Sequence, residues 1–441
     1  MSFLSLTDAD REAMLAAIGV SSIAELFRDI PADVRYAGPL DVLPALSEAE
    51  LTRHMEELAA KNVVDEVTFL GAGVYDHYVS AVVDSVLQRG EFLTAYTPYQ
   101  PEMSQGVLQA IFEYQTVICE LTGMDVSNAS GYDGQTVAAD ACFVARAATG
   151  RSKIVVTEAT NPQVRETLVT YARGFGMEVV VVPHEGGVTD PARVREAAED
   201  AAIVIFQQPN FFGCLEAAPD LAAAAKDAGA LACAHVDLIS LGVLEAPGNY
   251  GCDLAIGEGQ SAGNYVSYGG PHYGFLAASS EHIRRLPGRI VGQTVDQTGK
   301  RGFVLTLQTR EQHIRREKAT SNITTNQTLL ALAGLVHLSL LGPQGLRETG
   351  EACMALAGYA KEQLAARGIE PLFPEQTTFK EFAVKLGRDA RDAVRSARAT
   401  GLNPGLPLGR VYPGYDDALL IAVTEKRTVA DIDRLVEVLA A

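Results

Sequence analysis

The chain has 441 residues, 47% of them hydrophobic and 21% charged, the proportions of a globular protein whose core can stand without disulfide or metal staples. Its formal net charge of −19 excludes nucleic acid and an anionic membrane surface as general partners, because both repel an acidic chain. Length alone sets a prior of two or three domains.

The opening "MSFLSLTDADREAML" has neither the basic and apolar regions of a leader nor the Arg/Ser-rich character of a transit peptide, so a cytoplasmic protein is expected. Residues 1–65 read as a helical arm. Thr7 and Ser47 cap helices with acidic first turns, and Gly19 ends the first of them.

Residues 66–330 read as a large α/β domain. The amphipathic helix "QGVLQAIFEYQTVICELTG" comes first, then the loop "SNASGYDG" and a second helix. Near-continuous apolar strands ("KIVVTEA", "MEVVVVPH", "AAIVIFQQP", "ALACAHVD") then alternate with helices, the pattern of a mostly parallel sheet covered on both faces. "YGFLAAS" is expected to close that sheet. The apolar "TLLALAGLVHLSLLG" is too short to span a bilayer and reads as a buried helix. It opens a smaller α+β domain over 331–441, with strands near "FKEFAVKLG" and "DALLIAVTE" and a terminal helix.

The six cysteines show no ligand spacing and read as buried small hydrophobes in a reducing compartment, so no metal site is expected. Four other constellations can carry chemistry. Asp237 follows an apparent strand, where open parallel sheets bind ligands and where pyridoxal-phosphate enzymes pair an aspartate with the cofactor's ring nitrogen; capping of a turn is the alternative. Asn128, Ser130 and Gly131 precede a helix whose N-terminal N–H groups suit a phosphate, or simply a cap. Tyr75, Tyr78, Tyr96 and Tyr99 could wall a small-molecule pocket, or pack. Thr320, Ser321, Asn322, Thr324, Thr325 and Asn326 form a donor cluster too dense for capping alone.

The nine lysines, at 61, 153, 226, 300, 318, 361, 380, 385 and 426, leave none between Lys226 and Lys300. That gap contains the loop "GEGQSAGNYVSYGGPHYG", where cofactor enzymes of this architecture carry the reactive lysine. Gln260 stands near that position and cannot replace an amine.

The blocks "FLGAGVYDHYVSAVV", "AYTPYQPEMSQGVLQAIFEYQTVICELTGMDVSNAS", "GEGQS", "YGGPHYGFLA", "GRIVGQT" and "RGFVLTLQTREQHIRREKATSNITTNQ" together resemble the glycine dehydrogenase (decarboxylating) family, the P-protein of the glycine cleavage system. The resemblance spans nearly the whole chain and is to the N-terminal-half, alpha, subunit of the split form. Gly131 stands where a bulky residue is expected, and Asn264, Tyr265 and His272 where more apolar ones are.

The resemblance implies an aspartate-aminotransferase-like (pyridoxal-phosphate type I) fold and an alpha2beta2 heterotetramer with a beta subunit that carries the pyridoxal phosphate. It implies decarboxylation of glycine and transfer of the aminomethyl group to the lipoyl arm of H-protein. On that basis Tyr96 and Tyr99 are candidate catalytic residues toward the partner's site. Ser321, Asn322 and Thr324 are candidate contacts to partner-bound cofactor, and Asn128, Ser130, Asp237 and Gln260 a vestigial pocket. The alternatives are a non-catalytic scaffold, or a self-contained enzyme that uses a distant lysine such as Lys300.

Overall fold

The computed structural model describes residues 5–36, 38–63 and 66–441, in two compact units, Met1–Val64 and Asp65–Ala441. In the first, helix Asp8–Ile18 starts at Thr7, whose hydroxyl accepts from the Asp10 N–H at 3.2 Å, and stops at Gly19 in the left-handed region (φ 84°). Helix Glu48–Ala59 starts at Ser47, whose backbone N–H donates to Glu50 at 2.9 Å. In sequence between these helices is a short 3-10 turn, Ile23–Phe27. None of these three elements buries a residue, and Leu26, Phe27, Val34, Leu40, Leu43 and Met55 are exposed.

The second unit is built on a seven-stranded sheet: β1 (Val126–Ser127), β2 (Lys153–Thr157), β3 (Glu178–Val182), β4 (Ala201–Gln208), β5 (Leu231–Val236), β6 (Leu254–Glu258) and β7 (Gly274–Ala278). Their spatial order is β1-β7-β6-β5-β4-β2-β3. β2 to β6 pair in parallel, and β7 runs antiparallel between β6 and β1. The apolar runs follow from burial on both faces. Val204 and Phe206 of β4 pack toward helix α1 (Gln105–Thr122), helix Ala218–Asp227 and the start of the helix from Thr328. Ile203 and Ile205 pack toward helix α2 (Gly134–Thr149) and helix Pro162–Phe175.

Helix α3 (Thr328–Ala365) buries Ala331 to Leu338 and is broken at Gly342 (φ 61°) by the following Pro343, so its apolar stretch is a core element with a sharp end. Its second half packs with helix Val429–Ala440 against a three-stranded sheet of β8 (Glu381–Lys385), β9 (Leu406–Pro407) and β10 (Ala418–Ala422), with β10 in the middle. An antiparallel hairpin, Ile290–Val295 with Arg301–Thr306, was not legible in the sequence. Its turn is held by Asp296, whose carboxylate accepts from the Thr298 and Lys300 N–H groups at 2.8 and 2.9 Å.

Candidate active site

Asp237 lies at the carboxyl end of β5, in the middle of the sheet. One carboxylate oxygen holds the local turn, accepting from the Ile239 N–H and the Ser261 hydroxyl, both at 3.1 Å. The other is in an ion pair with Lys380, which immediately precedes β8 and is 2% exposed. Asp237 thus anchors a turn with one oxygen and pairs with Lys380 through the other, in the interior. Burial alone would raise its pKa, but the Lys380 charge brings it below the ordinary aspartate value.

The Lys380 ammonium has two further neighbours. It lies 2.8 Å from His77 Nε2 and 3.8 Å from the centroid of the Tyr75 ring, a short cation–π contact. An ammonium can only donate, so His77 Nε2 accepts and Nδ1 carries the proton toward Glu425, 2.6 Å away. Burial, then Lys380, lowers the His77 pKa. Burial would raise Glu425, yet the bonds from His77 and the Tyr78 N–H hold it at about 2. Next to Lys380, Glu381 accepts from the Tyr75 hydroxyl at 2.8 Å and the Ala72 N–H at 2.7 Å, and burial lifts it to about 7.

Gln260 is fully buried and works as a peptide mimic. Its oxygen accepts from the Tyr75 N–H at 2.8 Å, and its NH₂ group donates to the carbonyls of Tyr75 and Asn264 at 2.9 and 2.8 Å. Glu258, at the end of β6, accepts from the Gly134 N–H at 3.0 Å and from the Gln260 N–H at 3.2 Å. Burial pushes its carboxyl up to about 8. Gly134 is the first residue of α2, whose Asp133 cap accepts from the Thr136 N–H at 2.8 Å. The helix end that the sequence offered to a phosphate is therefore occupied by two of the chain's own carboxylates. The cavity left among Tyr75, Asp237, Glu258, Ser261, Lys380 and Glu381 is about 30 Å³, room for ordered water and no more.

Asn128 and Ser130 are not among the residues that line it. Asn128 donates to the Pro287 carbonyl at 3.2 Å, and the Ser130 hydroxyl accepts from Asn326 at 3.0 Å and the Gln327 N–H at 3.1 Å. Gly131 has a steric reason: a Cβ there would lie 2.2 Å from Val137 Cγ1. Asn264, Tyr265 and His272 are tied to Leu330, Asp84 and Val266. Lys300 is exposed in the hairpin turn, outside the Asp237 cluster.

A second constellation faces outward. Tyr96 is 85% exposed and borders a groove of about 320 Å³ with Leu93, Thr97, Thr325 and Leu329. Tyr99 is half exposed, and its hydroxyl accepts from Arg289 at 2.9 Å. Asn322 and Thr324 are exposed; the Thr324 N–H donates to the Tyr132 hydroxyl at 3.2 Å, and Ser321 accepts from the Ile323 N–H.

A family profile described as glycine cleavage system P-protein matches residues 1–439. The chain belongs to the P-protein family. It is 52% identical over 438 residues to the probable glycine dehydrogenase (decarboxylating) subunit 1 of Moorella thermoacetica, across 99% of this chain and 98% of that one. It superposes on a crystal structure of the P-protein glycine decarboxylase in inhibitor-bound form with a TM-score of 0.90 and 42% identity, covering 100% and 99% of the two chains. A glutamate decarboxylase from Lactobacillus brevis (TM-score 0.68, 12% identity, 93% and 95% covered) shares the fold alone. This P-protein chain is thus a component of glycine dehydrogenase (decarboxylating), on the type I fold of pyridoxal-phosphate enzymes.

The residues around Asp237 do not fit that cofactor. A ring nitrogen would find Asp237 already neutralised by Lys380. A phosphate at α2 would meet the Glu258 carboxyl group, which already accepts from the Gly134 N–H, and position 260 offers an amide where an amine is needed. Lys380, His77, Glu258, Glu381 and Glu425 were not singled out from sequence. The local signals were their places in the blocks "VYDHY" and "GEGQS", in the strand stretches "FKEFAVKLG" and "DALLIAVTE", and in the lysine count.

Proposed function

We propose that this chain is the alpha subunit of a two-subunit P-protein and that it completes an active site whose cofactor is carried by the beta subunit. The observation that carries this reading is the occupied Asp237 cluster: Lys380 on Asp237, Glu258 on the helix end and Gln260 on the Tyr75 peptide leave a cavity of about 30 Å³ beside Asp237, too small for pyridoxal phosphate. When bound to the partner, the cofactor supplies the electron sink for loss of carbon dioxide from glycine. The aminomethyl group then passes to the lipoyl arm of H-protein.

This chain's part is binding and orientation. Tyr96 and Tyr99 present phenol groups from an exposed loop, and Ser321, Asn322 and Thr324 present small donors from the segment that precedes Thr325, a neighbour of Tyr96 in the groove. Around a decarboxylating centre such groups orient the reactant and keep water out. The exposed apolar side chains of the first unit, Leu40 and Leu43 among them, supply the kind of surface a partner subunit covers in an alpha2beta2 assembly. The domain division at about residue 330 and a cytoplasmic setting, with six free cysteines, belong to the same reading.

The test is co-purification with a candidate beta subunit, followed by glycine–bicarbonate exchange with and without this chain. Exchange that requires both chains supports the proposal. Full exchange by the beta subunit alone would leave this chain a scaffold with a vestigial pocket.

A further inference from the structure

Arg289 is 4% exposed, yet its strongest contact is to a surface residue. One terminal nitrogen donates to the Tyr99 hydroxyl at 2.9 Å, and the guanidinium carbon lies 5.4 Å from the centre of the Tyr99 ring. Its one carboxylate neighbour among the described residues, Glu311, is 7% exposed and stands 3.9 Å from Nε, beyond hydrogen-bond reach. Among the described residues, Arg289 Nε and Glu311 Oε1 have no hydrogen-bond partner. His313, 3.7 Å from Glu311, packs edge-on against Tyr99 with ring centres 5.8 Å apart.

A buried guanidinium and carboxylate placed for stability alone would close into a two-point pair, because each unmade bond to a buried charge costs more than a neutral one. Here the pair is left open and the arginine is turned to the phenol. A phenol has one proton and lone pairs to accept with. With Arg289 donating into the oxygen, the O–H proton is left for a second acceptor, on a residue that is 47% exposed.

We infer that Arg289 is a positioning residue for the glycine reaction: it fixes Tyr99 as an outward hydrogen-bond donor to an acceptor oxygen in the partner's active site. Glu311 balances the guanidinium charge at a distance that leaves its donors to the tyrosine. The inference rests on the reading that Tyr99 faces the partner's site. It adds which atom of Tyr99 acts, in which sense, and what sets that sense.

A double-mutant cycle in the reconstituted two-subunit enzyme tests it, with glycine–bicarbonate exchange as the rate and co-elution as the measure of assembly. Tyr99→Phe and Arg289→Met are each expected to lower kcat about tenfold, and the double variant about tenfold rather than about a hundredfold, because both remove one oriented bond. Arg289→Lys, which keeps a charge and a donor, should recover part of the loss and also serves if the methionine variant does not fold. A rise in KM for glycine would place the acceptor oxygen on the reactant, and a fall in kcat alone on the cofactor. Multiplicative losses, or an Arg289→Met loss fully explained by failed assembly while Tyr99→Phe alone slows the enzyme, overturn the inference. A silent Tyr99→Phe in an assembled complex overturns the reading of Tyr99 itself, and the inference with it.

Discussion

Lys380 and Asp237 are far apart in the second unit's chain, one just before β8 and the other just after β5, and they meet as a buried ion pair between two tyrosine-anchored carboxylate systems. The pair spans the large sheet and the C-terminal sheet, so it welds the two layers at the point where related folds would open a pocket. Removing one partner leaves the other as an uncompensated buried charge. Lys380→Met is therefore expected to cost about 3–5 kcal/mol in the isolated chain, and Lys380→Met with Asp237→Asn to recover most of it. Urea unfolding of the two variants checks this, and equal losses in both would count against the weld.

Restoring a lysine in the loop is not expected to restore the cofactor. Gln260→Lys should give no pyridoxal-imine absorption when the purified chain is incubated with pyridoxal phosphate, because Lys380 and Glu258 still hold the ring-nitrogen and phosphate positions. A stoichiometric, borohydride-reducible band would show that the interior opens more readily than its contacts indicate.

Glu258 gives stability a pH dependence of defined sign. Its folded-state pKa of about 8 lies above the ordinary glutamate value of 4.5, so the folded chain holds a proton that the unfolded chain has lost. The stabilisation is complete below about pH 4.5 and disappears as pH rises through about 8. Glu381, at about 7, adds a fall of the same sign. His77, lowered by burial, acts oppositely, and its contribution grows as pH rises toward its ordinary value of 6.5. Glu258→Gln should flatten the decline between pH 5 and 9, read as the urea midpoint at each pH; an unchanged slope would exclude Glu258 as its source.

Tyr96 and Ser321 offer a test of the exposed face that does not involve Arg289. Tyr96→Phe and Ser321→Ala are each expected to lower exchange by the assembled complex by about tenfold, the worth of one lost oriented bond of about 1.4 kcal/mol. Unchanged kinetics for both would remove this face from the reaction.

The apolar surface of the first unit should matter for assembly rather than for folding. Leu40 and Leu43 are 73% and 76% exposed, so Leu40→Ser with Leu43→Ser should leave the thermal midpoint of the isolated chain unchanged. The same double substitution should weaken co-elution with the beta subunit, and undiminished co-elution would place the interface elsewhere.

The sheet was readable from sequence because its central strands are buried on both faces and so appear as unbroken apolar runs. The hairpin at 290–306 was not. Its strands are only half buried, its outer end is exposed, and the turn "DQTG" lacks the Asn-Gly signal that marks tight hairpins. In the interior, Asp237 and Gln260 were legible because each follows a strand at the ligand-binding edge. Their partners were not. Lys380 and Glu425 reach them through pairing of β8 and β10 far along the chain, a relation that no local pattern encodes. Arg289 and Glu311 were inside quoted blocks, but only three dimensions show the arginine turned away from its carboxylate.

The amide of Gln260, bonded both ways to the Tyr75 peptide, has a consequence for descent. A lysine at 260 would lose the amide's bonds to both sides of the Tyr75 peptide and bring a second buried ammonium to the side chain that Lys380 already faces. Losing Lys380 first would strand Asp237, and losing Glu258 first would bare the end of α2. Each single step back toward an independent enzyme passes through a weakened protein, so the changes act as a ratchet. The charge balance of the interior in that sense holds the Asp237 cluster in its present, closed form.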